Sequence, residues 1–156
     1  MFLMNEMVEE VLKHYPKLKF SSKSGKIYGD LNVDKKDEDI YEVEIDFSDF
    51  PNSFPKVWEI GERIPPKIDR HINRDLSCCF TTQVKEKIYL KTKIFTLKNF
   101  VDYILIPFLQ NNSFFELNGK YKNGEHSHSK TESTIESYID ILGIKDLSQI
   151  LSLIHI

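Results

Sequence analysis

Cysteine is scarce in this chain: there are two, Cys78 and Cys79, and they are neighbours. Adjacent cysteines cannot close a stabilising loop, so a disulfide scaffold is excluded and a reducing, cytoplasmic setting is expected. Long hydrophobic runs are missing too. The longest, over 100–109, is interrupted by Asp102 and falls far short of the roughly 20 apolar residues a spanning helix needs. Met1 to Met7 is broken by Asn5 and Glu6 and has neither a basic start nor a small-residue cleavage site, so no export signal is read and a soluble chain is expected. Glycine and proline, six of each, are too few for collagen-like or low-complexity sequence. An excess of positive charge is absent as well. Twenty-one Lys plus Arg against 24 Asp plus Glu leave a net charge of −3, which disfavours nucleic acid as a partner because such binding draws on neutralised phosphates. There is no glycine-rich phosphate loop, no Gly-x-Ser-x-Gly elbow and no His-Glu-x-x-His. Nucleotide hydrolysis, serine hydrolysis of that type and zinc proteolysis therefore have no motif to rest on.

What is present is enough for one folded domain. The 156 residues are 40% hydrophobic and 12% aromatic, and a chain of this length buries roughly 70% of its unfolded surface. From Phe2 to Tyr15 the apolar Leu3, Met4, Met7, Val8, Val11 and Leu12 recur at intervals of three and four, which predicts an amphipathic helix ending at Pro16. Three β-prone runs follow, at 26–33, 40–47 and 56–60. In the second, Tyr41, Val43, Ile45 and Phe47 take one face and Ile40, Glu42, Glu44 and Asp46 the other, the mark of a half-buried strand. Asp34 to Asp39 reads as the hairpin connection, and the short joints predict an antiparallel meander. Trp58 is expected in the core. The period is lost between Gly61 and Thr82, where Pro65-Pro66 forbids helix and interior strand. Residues 87–95 read as a further strand, and 97–110 as a helix that Pro107 kinks or ends. The basic stretch from Lys85 to Lys98 reads as a solvated face. Further helices are predicted over 131–142, stopping at Gly143, and over 146–154. The expected architecture is a single α+β domain over 1–156.

Long irregular segments inside compact domains are usually functional. This one carries His71, Asn73, Cys78 and Cys79. A thiol on a loop is accessible enough for thiolate chemistry, and a nearby side-chain amide could donate to an oxyanion during acyl transfer. Buried packing is the competing role for a cysteine. His71 is either a base or a histidine that pins the loop by hydrogen bonds. A second polar group, Glu125, His126 and His128, raises metal binding, but neither Cys-x-x-Cys nor His-x-x-x-His spacing occurs, and a polar cap before the helix near Thr131 accounts for it equally.

Taken in order, Ile27-Tyr28-Gly29, Tyr41 to Phe47, Phe50-Pro51, Phe54-Pro55-Lys56-Val57, His71-Ile72-Asn73 and Ser77-Cys78-Cys79-Phe80 resemble the core of ubiquitin-conjugating enzymes. The match looks closest to the bacterial branch of that superfamily, with its shortened His-x-Asn to Cys segment, a helix like Phe100-Val101 to Ile106-Pro107-Phe108-Leu109, and a motif like Gly124-Glu125-x-Ser127-His128. The likeness spans about residues 25 to 143. Ile72 stands where the eukaryotic motif has proline, and Ser129 where the bacterial one tends to glycine. The resemblance implies a ubiquitin-conjugating fold: N-terminal helix, antiparallel meander, active-site loop, C-terminal helices. It implies an acyltransferase in which Cys79 carries a ubiquitin-like protein as a thioester, received from an adenylating enzyme of the ubiquitin-activating type and passed to a target protein. Cys78 would be its inward-facing neighbour, Asn73 an oxyanion or loop-ordering residue, His71 a loop-holding residue, and His128 a further member of the site. No cofactor, metal, nucleic acid or membrane is implied, and the setting would be a bacterial cytoplasm, in antiviral defence. A catalytically inactive interaction module of the same fold is the alternative.

Overall fold

The computed structural model describes residues 2–92 and 96–122. Helix α1 (Phe2–His14) buries Val8 and Val11 and is followed by a four-stranded antiparallel sheet in sequential order: β1 (Leu18–Ser21), β2 (Lys26–Asn32), β3 (Ile40–Asp46) and β4 (Lys56–Glu59). The α+β class and the meander are therefore observed, and the meander has one strand, β1, that the sequence reading did not place in it. β1 escaped it because Leu18-Lys19-Phe20-Ser21 is too short to display an alternation. The strand exists by pairing: Leu18 lies opposite Gly29 and Ser21 opposite Lys26.

Gly29 is a required glycine. Its φ is +132°, and a Cβ built on it would meet the Lys17 carbonyl oxygen at 2.5 Å, a backbone atom that cannot rotate away.

One sheet face is the core. Ile27, Leu31, Tyr41, Val43, Ile45 and Val57 are all buried, in the alternation read from 40–47. Against them lies a helical run from Leu97 to Asn118, made of α3 (Leu97–Phe100), a widened turn (Val101–Leu105) and α4 (Ile106–Asn118). Thr96 caps its start by accepting from the Asn99 N–H at 3.1 Å. Pro107 neither ends nor breaks this run. The Ile106 N–H reaches back five residues to the Val101 carbonyl, and that π turn makes the extra room that a ring without an N–H requires. The helix stops at Gly119, left-handed at φ 69°. Tyr15 just after α1 bonds Asp102 of the widened turn, which also pairs with Lys98 at 2.5 Å.

Three local expectations are corrected. Residues 87–92, predicted as strand, belong to α2 (Gln83–Thr92), and 93–95 lie outside the described residues. Thr82 supplies the start by accepting from the Lys85 N–H at 3.3 Å, and Lys85 and Tyr89, four apart, share the inward face. Lys85 is thus buried at 4% exposure rather than part of a solvated face. Trp58 is not in the core. It is half-buried on the outer sheet face, with the Lys26 ammonium 5.0 Å above its ring. The expected helices over 131–142 and 146–154, and Glu125, His126 and His128, lie outside the described residues. Among the described residues no helix is long and apolar enough to cross a membrane.

Gly29→Ala is expected to lower stability by about 3 kcal/mol, a strained backbone plus a backbone clash, read as a lower urea midpoint at unchanged m-value.

Candidate functional site

The segment that looked irregular in sequence folds into a small hairpin laid against the sheet edge. A single 3₁₀ turn (Ile68–Arg70) leads into His71, which is left-handed at φ 56° and buried. Ile72 then pairs antiparallel with Cys78. The Asn73 N–H donates to the Ser77 carbonyl at 2.8 Å, and the Leu76 N–H to the Asn73 carbonyl at 3.0 Å, closing a three-residue tip. Leu76 takes the left-handed position there (φ 67°), a conformation that costs a residue with a Cβ about 1 kcal/mol. The returning strand is fixed on both sides. The Cys78 N–H donates to the Val57 carbonyl of β4, and the Cys79 N–H to the His71 carbonyl, each at 2.7 Å.

That geometry makes the adjacent cysteines unequal. Alternation along the hairpin turns Cys78 into the core and leaves Cys79 half-buried. Burial pushes the Cys78 thiol up to about 12, a packing thiol with almost no thiolate at neutral pH. Cys79 is also raised, first by burial and then by the negative charge of Glu86 in the first turn of α2. Glu86 is held in place by accepting from the Phe54 N–H at 2.6 Å.

Cys79 lies in the walls of two cavities whose described linings share only His71 and Cys79. One, of about 260 Å³, runs between α2 and the α3–α4 run, with Lys85, Tyr89, Tyr103, Phe108 and Asn112 in its wall. The other, of about 310 Å³, is bounded by Pro66, Ile68, Ile72, Asn73 and Arg74. The two cavities thus meet at Cys79 and His71, the residues common to both walls.

His71 contributes through its main chain: its carbonyl holds Cys79, its N–H bonds Ile68, and its ring lies 5.2 Å from that of Tyr121. Tyr121 is anchored in turn by donating to the Asp69 carbonyl at 2.9 Å. Asn73 is exposed, and its amide donates to the Ser77 hydroxyl at 3.1 Å. Ser77 donates onward to Asp75 at 2.5 Å, and the Ser77 N–H adds a second bond to the same carboxylate oxygen. These bonds from Ser77 hold the Asp75 carboxyl down at about 2. The structure therefore gathers His71, Asn73 and Cys79 on one hairpin, with the Asn73 amide engaged inside the tip. His128 lies outside the described residues, and among those described no group of three His, Cys, Asp or Glu is gathered to hold a metal.

Sequence reasoning gave no role at the site to Glu86, Asp75 or Tyr121, placed Lys85 on a solvated face, and quoted Ser77 only as part of a motif. Asp75-x-Ser77 carried a readable signal, because an Asp that accepts from a backbone N–H two residues on is a turn former. Glu86 carried none, since only the folded chain brings α2 beside the hairpin. Compared with protein-family models, with curated proteins and with solved structures, the chain finds no match in any of the three, so its site is read from its own residues.

At mildly alkaline pH, iodoacetamide is expected to modify Cys79 and spare Cys78 in the folded protein. Removing the charge in Glu86→Gln lowers the Cys79 pKa, so alkylation at a fixed pH below that pKa rises several-fold. Peptide mass spectrometry of the two sites checks both statements.

Proposed function

We propose that this chain has the ubiquitin-conjugating fold and is a bacterial-type carrier and transferase of a ubiquitin-like protein, with Cys79 as the nucleophile. The observation that carries the reading is the half-buried Cys79 thiol, pinned to His71 on a hairpin beside an antiparallel meander and set between two cavities. The order of motifs along the chain supports the same reading.

The chemistry is two acyl transfers. In the first, the Cys79 sulfur attacks the thioester carbonyl of a modifier carried by an adenylating, activating-type enzyme. A new S–C bond forms, the old one breaks, and the Cys79 proton goes to the departing thiolate. In the second, an amine or hydroxyl of the target attacks the same carbonyl, loses its proton, and Cys79 leaves as thiolate and is reprotonated. Each step is easier than direct condensation of a carboxylate with an amine. The two cavities give donor and acceptor separate approaches to the sulfur, and half-burial keeps competing water away. His71 and Asn73 are assigned to holding the active-site hairpin, with Asn73 able to donate to an oxyanion once its amide leaves Ser77. His128 and the bacterial, cytoplasmic, antiviral setting belong to the same proposal through the resemblance alone. The second reading, an inactive module that recruits partners, draws on the engagement of the Asn73 amide with Ser77 and on the burial that keeps the Cys79 thiol protonated.

Incubation with a cognate activating enzyme, modifier and ATP is expected to give an adduct on Cys79 that thiol reductant removes. Cys79→Ala abolishes it, Cys79→Ser leaves an ester that resists reductant, and Cys78→Ala still forms it. A reductant-sensitive adduct on Cys79→Ala would refute the assignment. Normal folding with no adduct under any activating partner favours the interaction module.

A further inference from the structure

The hairpin that carries Cys79 is short, joined internally by a single bridge pair, and closed by a leucine in a left-handed conformation. Its internal backbone bonds are joined by bonds from outside. Two side chains from the outer face of the sheet, the face turned away from the core, reach across to its tip. The Trp58 indole N–H donates to the Asp75 carbonyl at 3.0 Å, and the Lys56 ammonium to the Asp75 carboxylate at 3.2 Å. Both come from β4, the strand whose Val57 carbonyl receives the Cys78 N–H between them. The same Asp75 carboxylate carries Ser77, and Ser77 carries the Asn73 amide. A continuous chain of bonds therefore runs from the outer sheet face through the tip to the start of the hairpin. Trp58 is steadied in turn by Lys26, which pairs with Glu44 at 2.6 Å.

We infer that Trp58 is a positioning residue for Cys79: through the Asp75 carbonyl, and aided by Lys56, it clamps the hairpin tip from the outer face of the sheet and so sets how far the Cys79 thiol is withdrawn from water. Trp58 is remote from the reacting atoms and acts only through the hairpin. The clamp is read on the free thiol of this chain and rests on the thioester reading only for its effect on transfer.

The test is the pH profile of iodoacetamide alkylation at Cys79 in the full chain, with Cys78 as an internal control and the melting temperature measured alongside. Trp58→Phe keeps an aromatic ring under Lys26 and removes the N–H. A released tip hydrates the Cys79 thiol, so the profile is expected to move to lower pH and the rate at neutral pH to rise about 3–10-fold. Cys78 stays unreactive and the melting temperature falls by no more than a few degrees. A profile superimposable on that of the unaltered protein overturns the inference. If Trp58→Phe unfolds the chain, Cys78 and Cys79 react together, and Lys56→Met, which alters an exposed pair, decides instead. The shift expected there has the same direction and a smaller size, and its absence overturns the inference. The same variants, charged with modifier, report on transfer. A chain that never charges defeats the thioester reading and leaves the alkylation result standing.

Discussion

The backbone bond from the Cys79 N–H to the His71 carbonyl, 2.7 Å long, closes the hairpin at its open end, and the geometry of the site hangs on it. Because Cβ atoms alternate along a strand, fixing Cys79 by its backbone also fixes which of two adjacent thiols faces the core. A slip of one residue would expose Cys78 and bury Cys79. The slip is resisted at both ends: the Cys78 N–H is committed to Val57 of β4, and the carbonyl that receives Cys79 belongs to a residue whose left-handed backbone is set by the preceding 3₁₀ turn. Two neighbouring cysteines with the same chemistry thus acquire different burial from register, and the Glu86 charge then acts on Cys79.

Burial sets the chemical character of Cys79. Its thiol is raised by desolvation and by Glu86, so less of it is thiolate at neutral pH than of an exposed cysteine. For a redox sensor this would be a poor arrangement. For an acyl carrier the balance is different. A thiol of higher pKa is the more nucleophilic once ionised and the slower leaving group once acylated, so the thioester survives longer against water. On the proposed reading, slow intrinsic reactivity guards the loaded intermediate, and discharge waits for an acceptor brought into contact with it.

The legible parts of the fold were those governed by local periodicity. Val8 and Val11 of α1, and the alternating Tyr41, Val43, Ile45 and Phe47, announce their buried faces because each pattern is complete within one element. β1 was invisible because four residues cannot show a period, and its existence depends on β2 as a partner. α2 was misread because Ile88, Leu90 and Ile94 fall in step with a strand's alternation, while the helix is decided by Thr82 at its start and by Tyr89 packing beneath it. Trp58 was misplaced for a related reason. Strand position alone cannot say which face a tryptophan takes, and here its N–H found a carbonyl outside the core. At the site, the residues could be listed from the sequence, but their unequal roles could not. That the Asn73 amide engages Ser77, and that Glu86 lies beside Cys79, are facts of three-dimensional register.

Pro107 shows how one sequence anomaly shapes the site at a distance. A proline in mid-helix lacks an N–H and crowds the carbonyl four residues back, so the ordinary result is a kink or a stop. Here the preceding turn takes in an extra residue, the Ile106 N–H bonds Val101, and the axis continues to Asn118. Adding one residue to a turn rotates everything after it by about 100° relative to a regular helix. Val101, Leu105 and Leu109, four apart, are nevertheless all buried, at 2%, 0% and 0% exposure, so the core stripe continues through the widened turn. Tyr103, Ile104, Pro107 and Phe108 of the same run stand in the wall of the cavity that reaches Cys79. The proline that would ordinarily interrupt a helix is thus accommodated by the π turn and stands in the wall of the cavity that Cys79 also lines.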